Sequence, residues 1–319
     1  MDYGHLPGIT KLISRLVQGT TMINGSNQVW EFALLDAVYE QGCTTFDTAW
    51  VYAGGKNEQT VGRWVRERGI RDQVVVIGKG AHPADGRNRV TPADITADIH
   101  TSLGRFGFDE IDLYLLHRDD PTVPVGLLVD VLNEHQRAGK IQAFGGSNWS
   151  TERIAAANAY AAANGLTPFV ASSPNFSLAR QIKPPWNGCL TISGPEHAPD
   201  RAWYAAQHMP LFTWSSLAGG FLSGRFRRDN LDSFSSYNDK LAVESYCVEE
   251  NFQRLDRAEQ LAQQKNLSIP QIALAYVMSQ PLDIYALTAP HSIDEYRANA
   301  AAAALRLTPE ELAWLDLIA

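Results

Sequence analysis

Apolar residues recur along this chain in two alternating rhythms. Short, nearly continuous apolar runs cover residues 15–19, 44–47, 74–77, 111–116, 141–147, 169–173, 211–214 and 284–289. Runs this short and unbroken suit parallel strands buried on both faces. Between them, apolar positions return every three or four residues. Residues 30–41 carry Phe32, Leu34, Leu35 and Val38 before a stop at Gly42, and residues 58–68 carry Val61, Trp64 and Val65. Thr91-Pro92-Ala93-Asp94 joins an N-cap, a first-turn proline and a first-turn acid, and predicts a helix to residue 106. Further helices are predicted over 124–138, from the Ser150 cap to 164, and over 201–208, 251–265 and 270–279. Ser292-Ile293-Asp294-Glu295 has capping-box spacing and opens another helix, and Thr308-Pro309-Glu310-Glu311 opens the last.

Strands alternating with helices, with no obvious linker, predict an α/β chain folded as a (β/α)8 barrel, one domain over residues 1–319. In such barrels chemistry gathers at the C-terminal strand ends. Residues 183–199 are proline-rich and read as a loop. Residues 215–249 show little periodicity and are too long for an ordinary connection, which predicts a part in the active site.

Composition narrows the class. A hydrophobic content of 45% excludes a disordered chain. A net charge of −8 favours solubility and counts against a nucleic-acid partner. Cys43, Cys189 and Cys247 are odd in number and far apart, which predicts a reducing compartment, with neither a disulfide framework nor a metal site. No basic segment precedes an apolar one at the N-terminus, and no apolar run approaches the roughly 18 residues of a membrane span. A cytoplasmic protein without a membrane partner is expected.

The strand ends carry the candidate chemistry. Asp47 closes the 44–47 run, and Tyr52 follows in a loop leading to Gly54-Gly55. Lys79 follows Val74-Val75-Val76-Ile77-Gly78, and His117 follows Ile111-Asp112-Leu113-Tyr114-Leu115-Leu116. Alone, each has a plain reading: a turn cap, a packed aromatic, a solvated lysine, a structural histidine. Their joint arrival at three successive strand ends argues for one site. Reducing a carbonyl with a hydride requires a proton donor for the emerging alkoxide. A free phenol, with a pKa of about 10, is too weak an acid. A neighbouring ammonium favours the phenolate. Lys79 is thus placed to tune Tyr52, with Asp47 holding Lys79 and His117 orienting the carbonyl oxygen or relaying the proton. No metal is required.

Asp47, Tyr52, Lys79 and His117 resemble the tetrad of the aldo-keto reductases. Asp47-Thr48-Ala49 with Tyr52, Gly54-Gly55 and Glu58 is similar to that family's first signature. Leu115-Leu116-His117, Gly139-Lys140-Ile141 and Gly145-Gly146-Ser147-Asn148-Trp149 resemble its middle segments. Trp214-Ser215-Ser216-Leu217-Ala218-Gly219-Gly220 resembles its seventh-strand motif, in the form of the potassium-channel β-subunit-like branch. The resemblance spans nearly the whole chain.

The resemblance implies a nicotinamide cofactor in the barrel mouth, and no Gly-x-Gly-x-x-Gly follows the first strand here. It assigns Ser147, Asn148 and Asn175 to the carboxamide and Trp214 to the nicotinamide face. Thr20, Thr21 and Asp47 join them. The backbone at Ser215, Leu217 and Gly219 meets the pyrophosphate with Arg225, and His291, Ser292, Glu295 and Asn299 take the adenosine end. The family's lean favours NADP(H), with NAD(H) the alternative. Ser216, Gly146 and Leu287-Thr288-Ala289 depart from the family pattern, and no Lys or Arg lies between Ala289 and Glu295 to hold a 2′-phosphate. The expected substrate is a small carbonyl or its alcohol, a sugar among the candidates, bound by Trp50, Tyr52, His117 and Trp149. Trp30 and Trp186 are further pocket walls. The rivals are a cofactor-binding sensor of the same fold and a different barrel enzyme such as an isomerase or hydrolase.

Overall fold

The computed structural model describes residues 1–318. The chain opens with an antiparallel hairpin, β1 (Tyr3–Leu6) and β2 (Ile9–Ser14), which the apolar pattern does not announce. Eight strands then close a barrel: β3 (Leu16–Gly19), β4 (Thr45–Asp47), β5 (Val75–Gly80), β6 (Ile111–Leu116), β7 (Ile141–Ser147), β8 (Ala171–Ser173), β9 (Leu211–Thr213) and β10 (Ile284–Thr288), in the order β10-β3-β4-β5-β6-β7-β8-β9. No described helix is long and apolar enough to cross a membrane.

By internal contacts the chain divides into two compact units. The first is Met1–Ser173 with Ala289–Ile293; the second holds Pro174–Thr288 and the chain from Asp294 onward. In the first, helices α1 (Gln28–Glu40), α2 (Lys56–Arg68), α3 (Pro92–Phe106), α4 (Val125–Arg137) and α5 (Thr151–Asn164) follow β3 to β7 in turn. The caps expected at Thr91 and Ser150 form, accepting the amides of Asp94 and Arg153. Trp64 of α2 shows why the helix seats where it does: its ring lies 4.9 Å from Phe46 of β4, and its Nε1 donates to Asp36 of α1 at 2.7 Å.

In the second unit, β9 and β10 pair in parallel, and Phe212 and Tyr285 stack at 4.8 Å. Helix α6 (Ala198–Gln207) starts three residues earlier than its apolar pattern suggests. Residues 215–249 are less irregular than expected. They hold a 3₁₀ turn over Ala218–Ser223 and helix α7 (Tyr237–Tyr246), capped by Ser236 accepting the Asp239 amide. That helix has only a weak apolar stripe, so periodicity could not reveal it. Helices α8 (Glu249–Lys265), α9 (Ile269–Met278), α10 (Ile293–Ala303) and α11 (Pro309–Leu315) complete the chain.

The hairpin crosses the N-terminal strand ends of the first unit. Lys11 of β2 donates to the carbonyls of Arg71 and Val74 and, at 2.6 Å, to Asp112 of β6. Asp112 is fully buried and also accepts from Arg71 at 2.8 Å and from the Val76 amide at 2.8 Å. Removing this acceptor leaves a buried N–H and two cations uncompensated. Asp112→Ala is therefore expected to lower the unfolding free energy by about 3–5 kcal/mol, measured by urea denaturation. Lys11→Met should cost less, because the Lys11 side chain keeps 13% of its exposure.

Candidate active site

Strand register gathers the first unit's strand-end groups. Side chains alternate faces along a strand, so partners in register and residues two apart share a face. Asp47 pairs with Ile77, two before Lys79; Lys79 pairs with Leu115, two before His117. Leu115 pairs with Gly145, two before Ser147, and Ser147 pairs with Ser173. One parity line thus carries Asp47, Lys79, His117, Ser147 and Ser173 on a single face. Ser173 was not a candidate in the sequence, although it ends the sixth predicted run.

Lys79 is within β5, which runs three residues past the predicted strand, and is only 3% exposed. Its Nζ donates to Asp47 Oδ1 at 2.5 Å and to the Thr48 carbonyl at 2.8 Å. Burial pushes the Asp47 carboxyl up and the Lys79 ammonium down, and each partner pulls the other back toward its charged form. Thr20 locks the end of β4, its hydroxyl donating to the Asp47 carbonyl at 2.7 Å, while Thr21 beside it is exposed.

Tyr52 arrives from a tight turn, Tyr52–Gly55, in which Ala53, Gly54 and Gly55 all have positive φ. Gly55 has no room for a side chain: a Cβ there would lie 2.3 Å from Cζ of Arg105. Arg105 in turn donates to Glu58 at 2.9 Å and to the Trp50 carbonyl at 2.8 Å. The turn is thereby held from behind, and the half-buried Tyr52 ring stands with its centroid 5.3 Å from Lys79 Nζ and 5.9 Å from the His117 ring.

Burial, then the charges of Lys79 and Arg118, hold the His117 pKa well below the usual histidine value, so the ring is neutral near pH 7. Its Nδ1 is enclosed without a hydrogen-bond partner among the described residues, whereas its Nε2 is not sealed off. A lone pair tolerates such enclosure better than an N–H. The proton therefore sits on Nε2, and His117 is a donor.

Ser147 Oγ donates to the Ser173 carbonyl at 3.0 Å, and Asn148, with φ +60, donates to Ser147 Oγ at 3.1 Å and to the His117 carbonyl at 3.2 Å. These two residues lie beside the tetrad. Trp50 is half-buried, with the guanidinium carbons of Arg89 and Arg105 at 4.7 and 5.3 Å from its ring. Trp149, expected beside it as a substrate wall, is 1% exposed, tilted on Phe169 at 5.0 Å and donating to the Arg118 carbonyl. It supports the strand ends from within.

The second unit carries other expected cofactor residues. Trp214 is partly exposed, its ring 6.5 Å from that of Trp186. The chain after it is left-handed at Ser215, Ala218, Gly219 and Gly220, with Leu217 between them. Asn175 is fully buried; it accepts from Thr191 at 2.8 Å and donates to the Trp214 carbonyl and the Tyr246 hydroxyl. Its polar capacity is spent holding this unit's loops together. Arg225 is paired with Asp239 at 2.8 Å. Arg227 faces Glu259, Arg228 bridges Glu249 and Asp256, and Arg297 faces Asp294. Glu295 is exposed and Asn299 half-buried; in the first unit, His291 and Ser292 of the turn before α10 are both exposed.

Residues 15–319 match the model of the aldo/keto reductase family, and the chain belongs to that family. It is accordingly an oxidoreductase of a family that acts on small-molecule carbonyl compounds with nicotinamide cofactors. The aldo-keto reductase YhdN of Bacillus subtilis is 30% identical over 275 residues, 82% of this chain and 75% of that one. A probable voltage-gated potassium channel subunit beta of Oryza sativa subsp. japonica is 28% identical over 291 residues, 88% of this chain and 84% of that one. Among solved structures, a glycerol dehydrogenase from Gluconobacter oxydans superposes with a TM-score of 0.81 at 23% identity, covering 99% and 94% of the two chains, a likeness of fold.

The depressed His117 pKa has a measurable sign. Unfolded histidine titrates near 6.5, so below that pH the unfolded state binds the extra proton and this site withdraws stability as pH falls. NMR titration should find the His117 ring neutral at pH 6.5, with its midpoint well below the ordinary histidine value.

Proposed function

We propose that the protein is an NAD(P)H-dependent carbonyl reductase in which Tyr52 is the proton donor. The observation that carries this reading is the buried Lys79–Asp47 pair at 2.5 Å, with Lys79 Nζ 5.3 Å from the Tyr52 ring centroid and His117 edge-on to that ring. A bound reduced nicotinamide supplies the hydride. The rest falls to this chain. His117 donates its Nε2–H to the carbonyl oxygen and orients it. Tyr52 gives its hydroxyl proton to that oxygen as charge develops. Lys79 stabilises the phenolate left behind, and Asp47 keeps Lys79 charged and in place.

The residues present suit the cofactor's nicotinamide end. In the first unit, Ser147 and Asn148 offer a hydroxyl and an amide beside the tetrad; in the second, taken by itself, Trp214 presents a partly exposed ring whose Nε1 has no partner among the described residues. The left-handed backbone from Ser215 to Gly220 suits amide contacts to a pyrophosphate. A second reading, a cofactor-binding sensor, draws on the rice channel-subunit relative. It predicts cofactor binding without meaningful turnover.

Tyr52→Phe keeps the ring and removes the hydroxyl. It should lower kcat by roughly 10² to 10⁴ with little change in cofactor affinity; kcat within a few-fold of the parent would remove Tyr52 as the donor. Cofactor choice is expected to be modest. Arg225, Arg227 and Arg228 are each engaged by carboxylates, and freeing one for a 2′-phosphate breaks an existing pair. The NADPH/NADH ratio of kcat/KM should favour NADPH yet stay below roughly 10², about 2.7 kcal/mol. A much larger ratio, collapsed by Arg227→Ala or Arg228→Ala, would show that the second unit's loop supplies a strong phosphate clamp.

A further inference from the structure

His82 lies two residues beyond β5, and its ring centroid is 5.0 Å from that of His117, at 62°. The approach is built into the backbone. Ala81 is fully buried with φ +58, a left-handed conformation that costs a residue with a β-carbon on the order of 1 kcal/mol. Its amide donates to Asp98 Oδ2 at 2.9 Å, and Asp98 is itself paired with Arg89. This held turn redirects the chain after Lys79-Gly80 and sets His82 against the tetrad.

The hydrogen bonding of His82 defines its chemistry. Its Nδ1 lies 2.9 Å from the Pro83 carbonyl. A carbonyl only accepts, so Nδ1 carries the proton. Partial burial, opposed by that bond and reinforced by the Arg118 charge, holds the ring's pKa below the usual value, so it is neutral near pH 7. Nε2 is then an acceptor. It has no partner among the described residues and is not sealed off. His117 is the complement, with an open Nε2–H. Two adjacent rings therefore offer one donor and one acceptor, and no direct hydrogen bond joins them among the described residues.

We infer that His82 is a specificity-determining residue whose Nε2 accepts a hydrogen bond from a hydroxyl on the carbon next to the reacting carbonyl. The site then favours α-hydroxy carbonyls, and vicinal diols in the reverse direction, over carbonyls without that hydroxyl. The inference rests on the carbonyl-reductase reading of the tetrad. An α-hydroxy carbonyl carries an acceptor and a donor on neighbouring carbons, matching His117 and His82. A plain ketone leaves the His82 lone pair facing carbon, desolvated and unpaired, and a site built for a substrate hydroxyl rejects an analogue lacking it.

The test compares kcat/KM for hydroxyacetone with acetone, and for glyceraldehyde with propanal, using both cofactors, in the parent and in His82→Phe. Phenylalanine keeps a ring against His117 and removes the acceptor. The parent should prefer the hydroxylated member of each pair by about tenfold, the worth of one hydrogen bond. The preference should collapse in the variant, chiefly through KM, and return in part in His82→Gln, which restores an acceptor. No preference in the parent, or an equal loss for both members in the variant, overturns the inference and leaves His82 a packing partner of His117. A second readout does not need turnover. In ¹⁵N-imidazole NMR, with and without NADP⁺, hydroxyacetone should shift His82 Nε2 and acetone should not. That shift in a protein that reduces nothing would sink the reductase reading and keep the His82 contact; neither shift nor turnover would sink both.

Discussion

The candidate site depends on one buried ion pair. Lys79 and Asp47 are each 3% exposed and meet at 2.5 Å. Taking two charges out of water costs several kcal/mol per ion, and only close geometry with further hydrogen bonds recovers it. Here the Thr48 carbonyl takes a second Lys79 proton. A pair of this kind is weak evidence of stability, since apolar residues of the same volume would serve folding as well. What it provides is an amine held at a fixed depth beside a phenol, with a carboxylate drawing it toward its charged form against the pull of burial. Losing either partner would leave the other buried and uncompensated.

The barrel supplies that arrangement through register. Because side chains alternate along a strand, a slip of one residue in β4 or β5 would turn Asp47 or Lys79 toward the helices. The hairpin and the Lys11–Asp112–Arg71 cluster secure the opposite strand ends, where β5 and β6 begin. The side that carries the candidate site is held differently. Its turns use left-handed residues at Ala53, Ala81 and Asn148, all without the glycine that would relieve them. Those turns set Tyr52 opposite Lys79, His82 against His117 and Asn148 on the His117 carbonyl. Strain of this order persists where surrounding contacts over-determine the backbone, and Asp98 on the Ala81 amide is such a contact.

Much of the scaffold was legible before any coordinates. The eight barrel strands lie where continuous apolar runs occur, and β6 and β7 keep their expected limits. Caps at Thr91 and Ser150 could be read because they act within a few residues of themselves. Elements without a strong apolar period were not legible. The β1–β2 hairpin is short with one exposed face, and α7 is a ten-residue helix in a polar segment. Among candidate site residues, those ending apolar runs stood out: Asp47, Lys79, His117 and Ser147. Trp149 and Asn175 show where inference from motif position runs out. Sequence spacing says nothing of exposure, and both side chains are enclosed and engaged by their own unit.

By itself the sequence determined the succession of strands and helices, the order in which an acid, a phenol, an amine and an imidazole arrive, and the lack of a Lys or Arg between Ala289 and Glu295. Each follows from residue type, short-range spacing and periodicity, all of which are local. Only the tertiary structure decided that Lys79 is buried rather than solvated, that His117 presents its Nε2 as a donor, that the loop arginines are already paired, and that His82 stands beside His117. Each of these depends on groups far apart in sequence that meet once the strands pair. Desolvation and hydrogen bonding depend on those neighbours, and a linear pattern does not contain them.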